Sequence, residues 1–211
     1  MSVITKLTKG KSWEKRVNVF LDGKFTFSLP AEVAKKERLQ VEQELSSDQV
    51  KALSEANRYH RCLNAAIRYL GYRPRSEAEV RQRLQQKGFD IDCIEKTIAE
   101  LKEQELIDDI TFARLWKENR EAFSPRSRWL NKLELRRKGL NDNIIEQVIS
   151  EVNDSDSAYR AALSKARHLS SSDYQLFRHR LSDYLKRRGF GYEVINETVQ
   201  KVWKEHGNNP E

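Results

Sequence analysis

The side chains that could do covalent or acid–base chemistry are few and scattered. His60, His168, His179 and His206 stand at spacings that match no metal-ligand pattern. Cys62 and Cys93 are too few for a disulfide framework, and each falls within a helical pattern, so both are read as buried reduced thiols. A zinc site drawn from His60, Cys62 and Cys93 lacks a fourth ligand. There is no Gly-rich phosphate loop, no H-E-x-x-H and no C-x-x-C, and acidic pairs such as Asp108-Asp109 suit helix caps. With no nucleophile set beside a base, the chain reads as a binding protein. No catalytic residue, metal or cofactor is expected of it.

Positive charge is what the sequence concentrates. Lys and Arg number 39 against 32 Asp and Glu, a net charge of +7, which permits contact with nucleic acid or another acidic surface. The densest clusters are Arg136-Arg137-Lys138 and Lys186-Arg187-Arg188. Arg126, Arg128, Lys132, Arg178 and Arg180 stand further forward, and Arg81, Arg83 and Lys87 form a sparser first group. Such residues hold phosphates or carboxylates in a row only if one type of element recurs at a fixed spacing and points them the same way.

Such a recurrence exists. Leu84-Gln85-Gln86-Lys87-Gly88-Phe89 returns as Leu135-Arg136-Arg137-Lys138-Gly139-Leu140 and again as Leu185-Lys186-Arg187-Arg188-Gly189-Phe190. Pro74-Arg75-Ser76 matches Pro125-Arg126-Ser127 at the same offset. Downstream, Ile94, Ile98 and Leu101 match Ile145, Ile149 and Val152, then Ile195, Val199 and Val202. That i, i+4, i+7 spacing lays an apolar stripe along one helix face. Each unit reads as three helices. Ser76 caps helix two of the first, with Glu79 completing a capping box. A glycine closes helix two in the left-handed conformation, and helix three follows. The second unit starts at Asp108-Asp109, with Phe112 and Trp116 one turn apart. The third starts near Asp154, has an Ala-rich first helix and lacks Pro-Arg-Ser, so its helix two begins at Ser172 or Asp173.

The three second helices (76–87, 127–138, 173–188) hold thirteen Lys and Arg against five acids, whereas the three third helices hold eleven acids against four bases. Part of this segregation complements the helix dipoles, but Arg128, Lys132, Arg178 and Arg180 sit too early in their helices for that. The second helices are therefore expected to form a basic stripe. The same segregation weighs against base-specific reading by a helix-turn-helix, because acid-rich third helices would be repelled by the major groove. Non-specific phosphate contact through the second helices stays open.

The front end differs. Val17 to Leu21 and Phe25 to Leu29 flank Asp22-Gly23-Lys24, a hairpin signal. Val3 to Leu7 could add a third strand through a turn near Gly10, and Trp13 could touch a partner, although a core or edge-protecting role suits it better. A short helix is expected near Ala31 to Arg38, then a longer one capped at Ser46-Ser47-Asp48. The fold expected is mainly α: three tandem three-helix repeats in an elongated curved array, preceded by a small N-terminal β-hairpin element. The boundaries read as 1–45 for the front, 46–107 for the first repeat with a lead-in helix, 108–153 and 154–206 for the others, and 207–211 for a tail. No apolar run approaches the ~18 residues of a membrane span, and no signal-peptide core follows Met1, which points to the cytoplasm.

Tyr69-Leu70-Gly71-Tyr72-Arg73-Pro74-Arg75-Ser76-Glu77-Ala78-Glu79-Val80, with Leu84 to Phe89, Leu101 to Asp109 and Phe112-Ala113, closely resembles the bacterial RecX family. The similarity covers about residues 60 to 205. It departs from the family in the missing Pro-Arg-Ser of the third unit and at Asn131, which stands where Val80 does, with Leu130 and Leu133 as apolar substitutes. The resemblance implies a cytoplasmic regulator of the RecA recombinase that lies along the groove of the RecA–single-stranded-DNA filament. It implies suppression of ATPase, strand-exchange and coprotease activities. Single-stranded DNA, and after it double-stranded DNA, would be contacted weakly or through RecA. The protein itself would be a monomer. A non-specific DNA-binding protein that competes for the strand is the alternative.

Overall fold

Asp22 and Gly23 take φ of 50° and 81°, the left-handed pair that a two-residue hairpin turn needs. They join β2 (Arg16–Leu21) to β3 (Lys24–Pro30). β1 (Ser2–Lys9) runs antiparallel along the other side of β2, with Ile4 opposite Leu21 and Leu7 opposite Val19. The short β4 (Glu44–Leu45) pairs with Ser2 and Val3, giving the order β3-β2-β1-β4. The expected hairpin is thus part of a four-stranded sheet. β4 escaped the sequence reading because two residues carry no period. Alternate positions Ile4, Val19, Leu21, Phe27 and Leu29 turn to one face and pack with Leu45 and Leu53. Asp22 also accepts a hydrogen bond from the Val3 N–H at 3.0 Å, and this bond holds its carboxyl below the usual range.

This computed structural model describes residues 1–10, 16–169 and 173–207, so Trp13, Ser172 and most of the tail lie outside it. The described chain is mainly helical, as expected. It divides into two compact units, 1–73 with 80–106 and 74–79 with 107–211. In the first, α1 (Ala31–Lys36) follows the sheet, and α2 (Ser47–Leu70) is a single helix that serves as both lead-in and first helix of its repeat. Ser46 caps α2 with Gln49 in a reciprocal box: the Gln49 N–H donates to Ser46 Oγ and the Ser46 N–H to Gln49 Oε1. α3 (Glu77–Gln86) and α4 (Ile91–Glu103) complete the repeat. Cys62 and Cys93 are free thiols buried between α2 and α4. Burial, with Cys62 alongside, pushes the Cys93 thiol up to about 12, which keeps it protonated and inert.

The second unit holds α5 (Asp109–Phe123), α6 (Arg128–Arg137) and α7 (Asp142–Ile149), then α8 (Asp154–Ala166), α9 (Tyr174–Arg187) and α10 (Tyr192–Gly207). Phe112, Ala113, Leu135, Ile145, Ile149 and Val152 form one core. Ala158, Ala162, Phe177, Leu181, Leu185, Ile195 and Val199 form another. The alanines of α8 let α10 approach closely. Asp173 caps α9, its carboxylate accepting from the Gln175 and Leu176 N–H groups. Asn131 is buried in the place that Val80 holds in α3, while Leu130 and Leu133 are only half-buried. The amide is only half satisfied there: its Nδ2 donates to the Arg126 carbonyl at 3.2 Å, while its buried Oδ1 accepts no hydrogen bond among the described residues.

All three second helices end identically. Gly88, Gly139 and Gly189 have φ of 79°, 79° and 81°. The N–H after each glycine donates to a carbonyl five residues back: Phe89 to Leu84, Leu140 to Leu135, and Phe190 to Leu185. Each glycine N–H donates three residues back, to Gln85, Arg136 and Lys186. This is the Schellman end, and it satisfies carbonyls that the last turn would leave open.

Candidate partner-binding surface

The Pro-Arg-Ser element is what sets the second helices in place. Ser76 Oγ accepts from the Glu79 N–H at 3.2 Å and donates to the Lys138 carbonyl at 2.6 Å, beside Gly139. In the second copy the Ser127 N–H donates to the Arg188 carbonyl at 3.0 Å, beside Gly189. The donor differs for a local reason. Glu79 engages the Ser76 N–H through Oε2, leaving the hydroxyl to reach across, whereas Leu130 at the corresponding position frees the Ser127 N–H. A second contact also recurs. The Glu77 N–H donates to Asp109 Oδ1 at 2.9 Å, and the Arg128 N–H to Asp154 Oδ1 at 2.6 Å. Each Pro-Arg-Ser helix start therefore receives the glycine end of one later helix and the leading aspartate of another.

Ser76→Ala should destabilise the chain by about 2 kcal/mol, since it removes a cap and the donor to a carbonyl packed against a fully buried side chain. Ser46→Ala removes only a cap and should cost about 1 kcal/mol. Urea unfolding midpoints at unchanged slope separate the two. Equal losses would show that the cross-repeat bond adds nothing.

The fourteen basic residues singled out by sequence fall into three groups. Six face carboxylates: Arg81 with Glu95, Arg126 with Glu134, Lys132 with Glu146, Arg136 with Asp142 at 2.7 Å, Lys138 with Glu79 at 2.8 Å, and Lys186 with Asp183 at 3.7 Å. The Asp142 hydrogen bond raises the pKa of Arg136 above the ordinary arginine value. Three engage neutral groups. Arg128 donates to the Val152 carbonyl, Arg188 donates to Ser124 Oγ and the Pro125 carbonyl while stacking 4.5 Å from the Tyr184 ring, and Arg83 lies 5.7 Å from the Tyr69 ring. Lys87, Arg137, Arg178, Arg180 and Arg187 are exposed and make no ion pair among the described residues. Arg180 and Arg187, seven residues apart, lie two turns along one face of α9.

Part of the charge segregation between second and third helices thus serves pairing within the first two repeats: Arg81, Lys132 and Arg136 reach acids of the following helix, whereas Lys186 of the third pairs within its own helix. Sequence reading missed Glu134. Its carboxylate accepts from Trp116 Nε1 at 3.0 Å and Arg120 Nε at 2.9 Å while also pairing with Arg126. The signal available was its isolation as the one acid in a basic helix. It also missed Asp109 and Asp154 as docking residues, since a leading aspartate looks like a cap. Among the described residues no group of three His, Cys, Asp or Glu side chains converges as for a metal, and no helix is long and apolar enough to cross a membrane.

Two family models match the chain: the regulatory protein RecX N-terminal domain over residues 2–46 and the RecX first three-helix domain over 62–101. A regulatory protein RecX of Clostridium botulinum is 31% identical over 209 residues, covering 96% of this chain and 97% of that one. A crystal structure of a regulatory protein RecX superposes with a TM-score of 0.68 at 22% identity, over 95% of this chain and 100% of the other. That of RecX from Lactobacillus salivarius gives 0.60 at 27% identity, over 70% and 97%.

Proposed function

The chain belongs to the RecX family of regulatory proteins, and from that premise we propose that it is a non-enzymatic inhibitor of the RecA recombinase. It binds the RecA–single-stranded-DNA filament as a monomer in the cytoplasm and suppresses ATP hydrolysis, strand exchange and coprotease activity. The observation that carries this reading is the match to regulatory relatives along nearly the whole chain. The exposed arginines Arg137, Arg178, Arg180 and Arg187 support it by offering charge that no internal carboxylate neutralises, suited to the acidic and phosphate surface of a nucleoprotein filament. Of the nine that engage other groups of the protein, the part-buried Arg81, Arg126, Lys132, Lys138 and Arg188 act chiefly by holding the second helices in place, while Arg83, Arg128, Arg136 and Lys186 remain exposed to a partner.

The test is ATP hydrolysis by preassembled RecA on single-stranded DNA, titrated with this protein, beside a titration onto the DNA alone at the same salt. Loss of hydrolysis well below the concentration that coats naked DNA supports a RecA-directed inhibitor. Loss only as the DNA saturates favours the second reading, competition for the strand, which the same exposed arginines would serve. The fourfold variant Arg137→Glu, Arg178→Glu, Arg180→Glu, Arg187→Glu should keep its helical circular dichroism. It should need at least about tenfold more protein for half inhibition, with a shallower dependence on salt. Unchanged inhibition by the folded variant would remove these residues from the interface.

A further inference from the structure

The three Schellman ends are built alike and occupied differently. A Cβ placed on Gly139 would fall 2.3 Å from the Ala78 Cβ, and one on Gly189 would fall 2.6 Å from Ser127 Oγ and 2.9 Å from the Leu130 Cβ. A Cβ on Gly88 would meet nothing within 4 Å. The Lys138 and Arg188 carbonyls each receive a hydrogen bond from a Pro-Arg-Ser serine. Among the described residues no such donor reaches the matching carbonyl of Lys87. In the first occupied end, Lys138 also pairs with Glu79 at the third position of the docked helix. Lys87 is the counterpart of Lys138 and is exposed. It lines an open depression with Arg58, Arg61, Gly88, Phe89 and Asp90, whose one carboxylate is already engaged by Arg58 at 2.6 Å.

We propose that the Gly88 end is a docking socket for the first turn of a helix from a partner protein. That turn carries a serine cap, a small residue two positions on and a glutamate at the third, the arrangement by which Ser76, Ala78 and Glu79 hold the Gly139 end. The serine supplies the donor for the Lys87 carbonyl, the small residue fits over the bare face of Gly88, and the glutamate pairs with Lys87. Arg58 and Arg61 favour a partner that is acidic around that turn. A second copy of this chain is a poor occupant. Its Ser76 and Ser127 already hold Lys138 and Arg188, and its third repeat has no Pro-Arg-Ser. A phosphate would be drawn by the cations alone. What favours a protein is that the same backbone end, twice elsewhere in this chain, is closed by a capped helix. The proposal stands independently of the RecA reading.

The test uses the full-length protein, isotopically labelled, and a capped peptide copying residues 74–86, followed by amide NMR. Saturable shifts at Lys87 to Asp90 are expected, with a dissociation constant on the order of 1 mM, since so short a helix is marginal in water. Lys87→Glu in the protein, or Ser76→Ala with Glu79→Lys in the peptide, should weaken binding at least about tenfold. Shifts absent from Lys87 to Asp90, or unchanged by these substitutions, would overturn the proposal. So would a thirteen-nucleotide single strand that shifts the same amides more tightly than the peptide, which would make the depression a phosphate site.

Discussion

Gly189→Ala and Gly139→Ala should each lower stability by about 3 kcal/mol, whereas Gly88→Ala should lower it by only about 1 kcal/mol. All three glycines have φ near 80°, so an alanine at any of them carries the same left-handed strain. The difference arises from what lies beyond. The new methyl at 139 would overlap the Ala78 Cβ, and at 189 the Ser127 hydroxyl, the Leu130 Cβ and the Trp129 ring, whereas at 88 it enters open space. Ala78 is part of a helix backbone and cannot rotate aside, so the docked helix start must shift and stretch its bonds to Lys138 and Asp109. For a chain of this size each kcal/mol moves the melting temperature by roughly 2–4 °C. Thermal unfolding should therefore show shifts of about 3 °C for Gly88→Ala and about 10 °C for the others. Three equal shifts would mean that the glycines serve only to end their helices.

Glu134→Ala is expected to cost about 3 kcal/mol. Glu134 is nearly buried, with 11% of its side chain exposed, and it neutralises Arg120 and Arg126 while accepting from Trp116. Arg120 and Arg126 are themselves half-buried. Burial lowers both pKa values, and for Arg126 the neighbouring Arg120 and Arg188 lower it further. Without the carboxylate, three guanidinium groups face one another with no counter-charge. Arg120 would still lie 4.7 Å from the Trp116 ring, a contact worth less than the lost pair. Glu151→Ala is the control. Its pair with Lys117 at 2.8 Å has a carboxylate that is 73% exposed, and removing it should leave the unfolding midpoint nearly unchanged because water screens such a pair. Urea denaturation of the two variants decides the matter, since similar midpoints would mean that water already solvates the Glu134 cluster.

Much of the architecture was legible because it is local. Asp22-Gly23 marks its turn by the φ it needs, Ser46 and Ser76 mark helix starts, and the three glycines mark helix ends. The stripes Ile145, Ile149, Val152 and Ile195, Val199, Val202 entered the cores for which their spacing suits them. The partners of the cations were not legible, because they depend on how adjacent helices cross. Lys132 reaches Glu146 fourteen residues on, and Lys138 reaches back 59 residues to Glu79. A row of arginines in a helix looks alike whether it faces a partner or a neighbouring glutamate. The Pro-Arg-Ser repeat was visible, but what it grips lies 62 residues further along the chain, beyond the reach of any pattern within a single helix.

The joints between successive repeats grip main-chain atoms. On the glycine side the acceptor is a carbonyl, at Lys138 in one case and Arg188 in the other, and a carbonyl is the same whatever side chain it carries. The demands on sequence reduce to a bare Cα at the glycine, a small hydrogen-bonding residue at the serine, and the leading aspartate that accepts from the N–H following that serine. Most other positions at the joint are then free to drift, provided the helices keep their length. Repeats as unlike as α5–α7 and α8–α10 can share one mode of attachment for this reason, and relatives could diverge widely in residues while holding the same spacing from one repeat to the next.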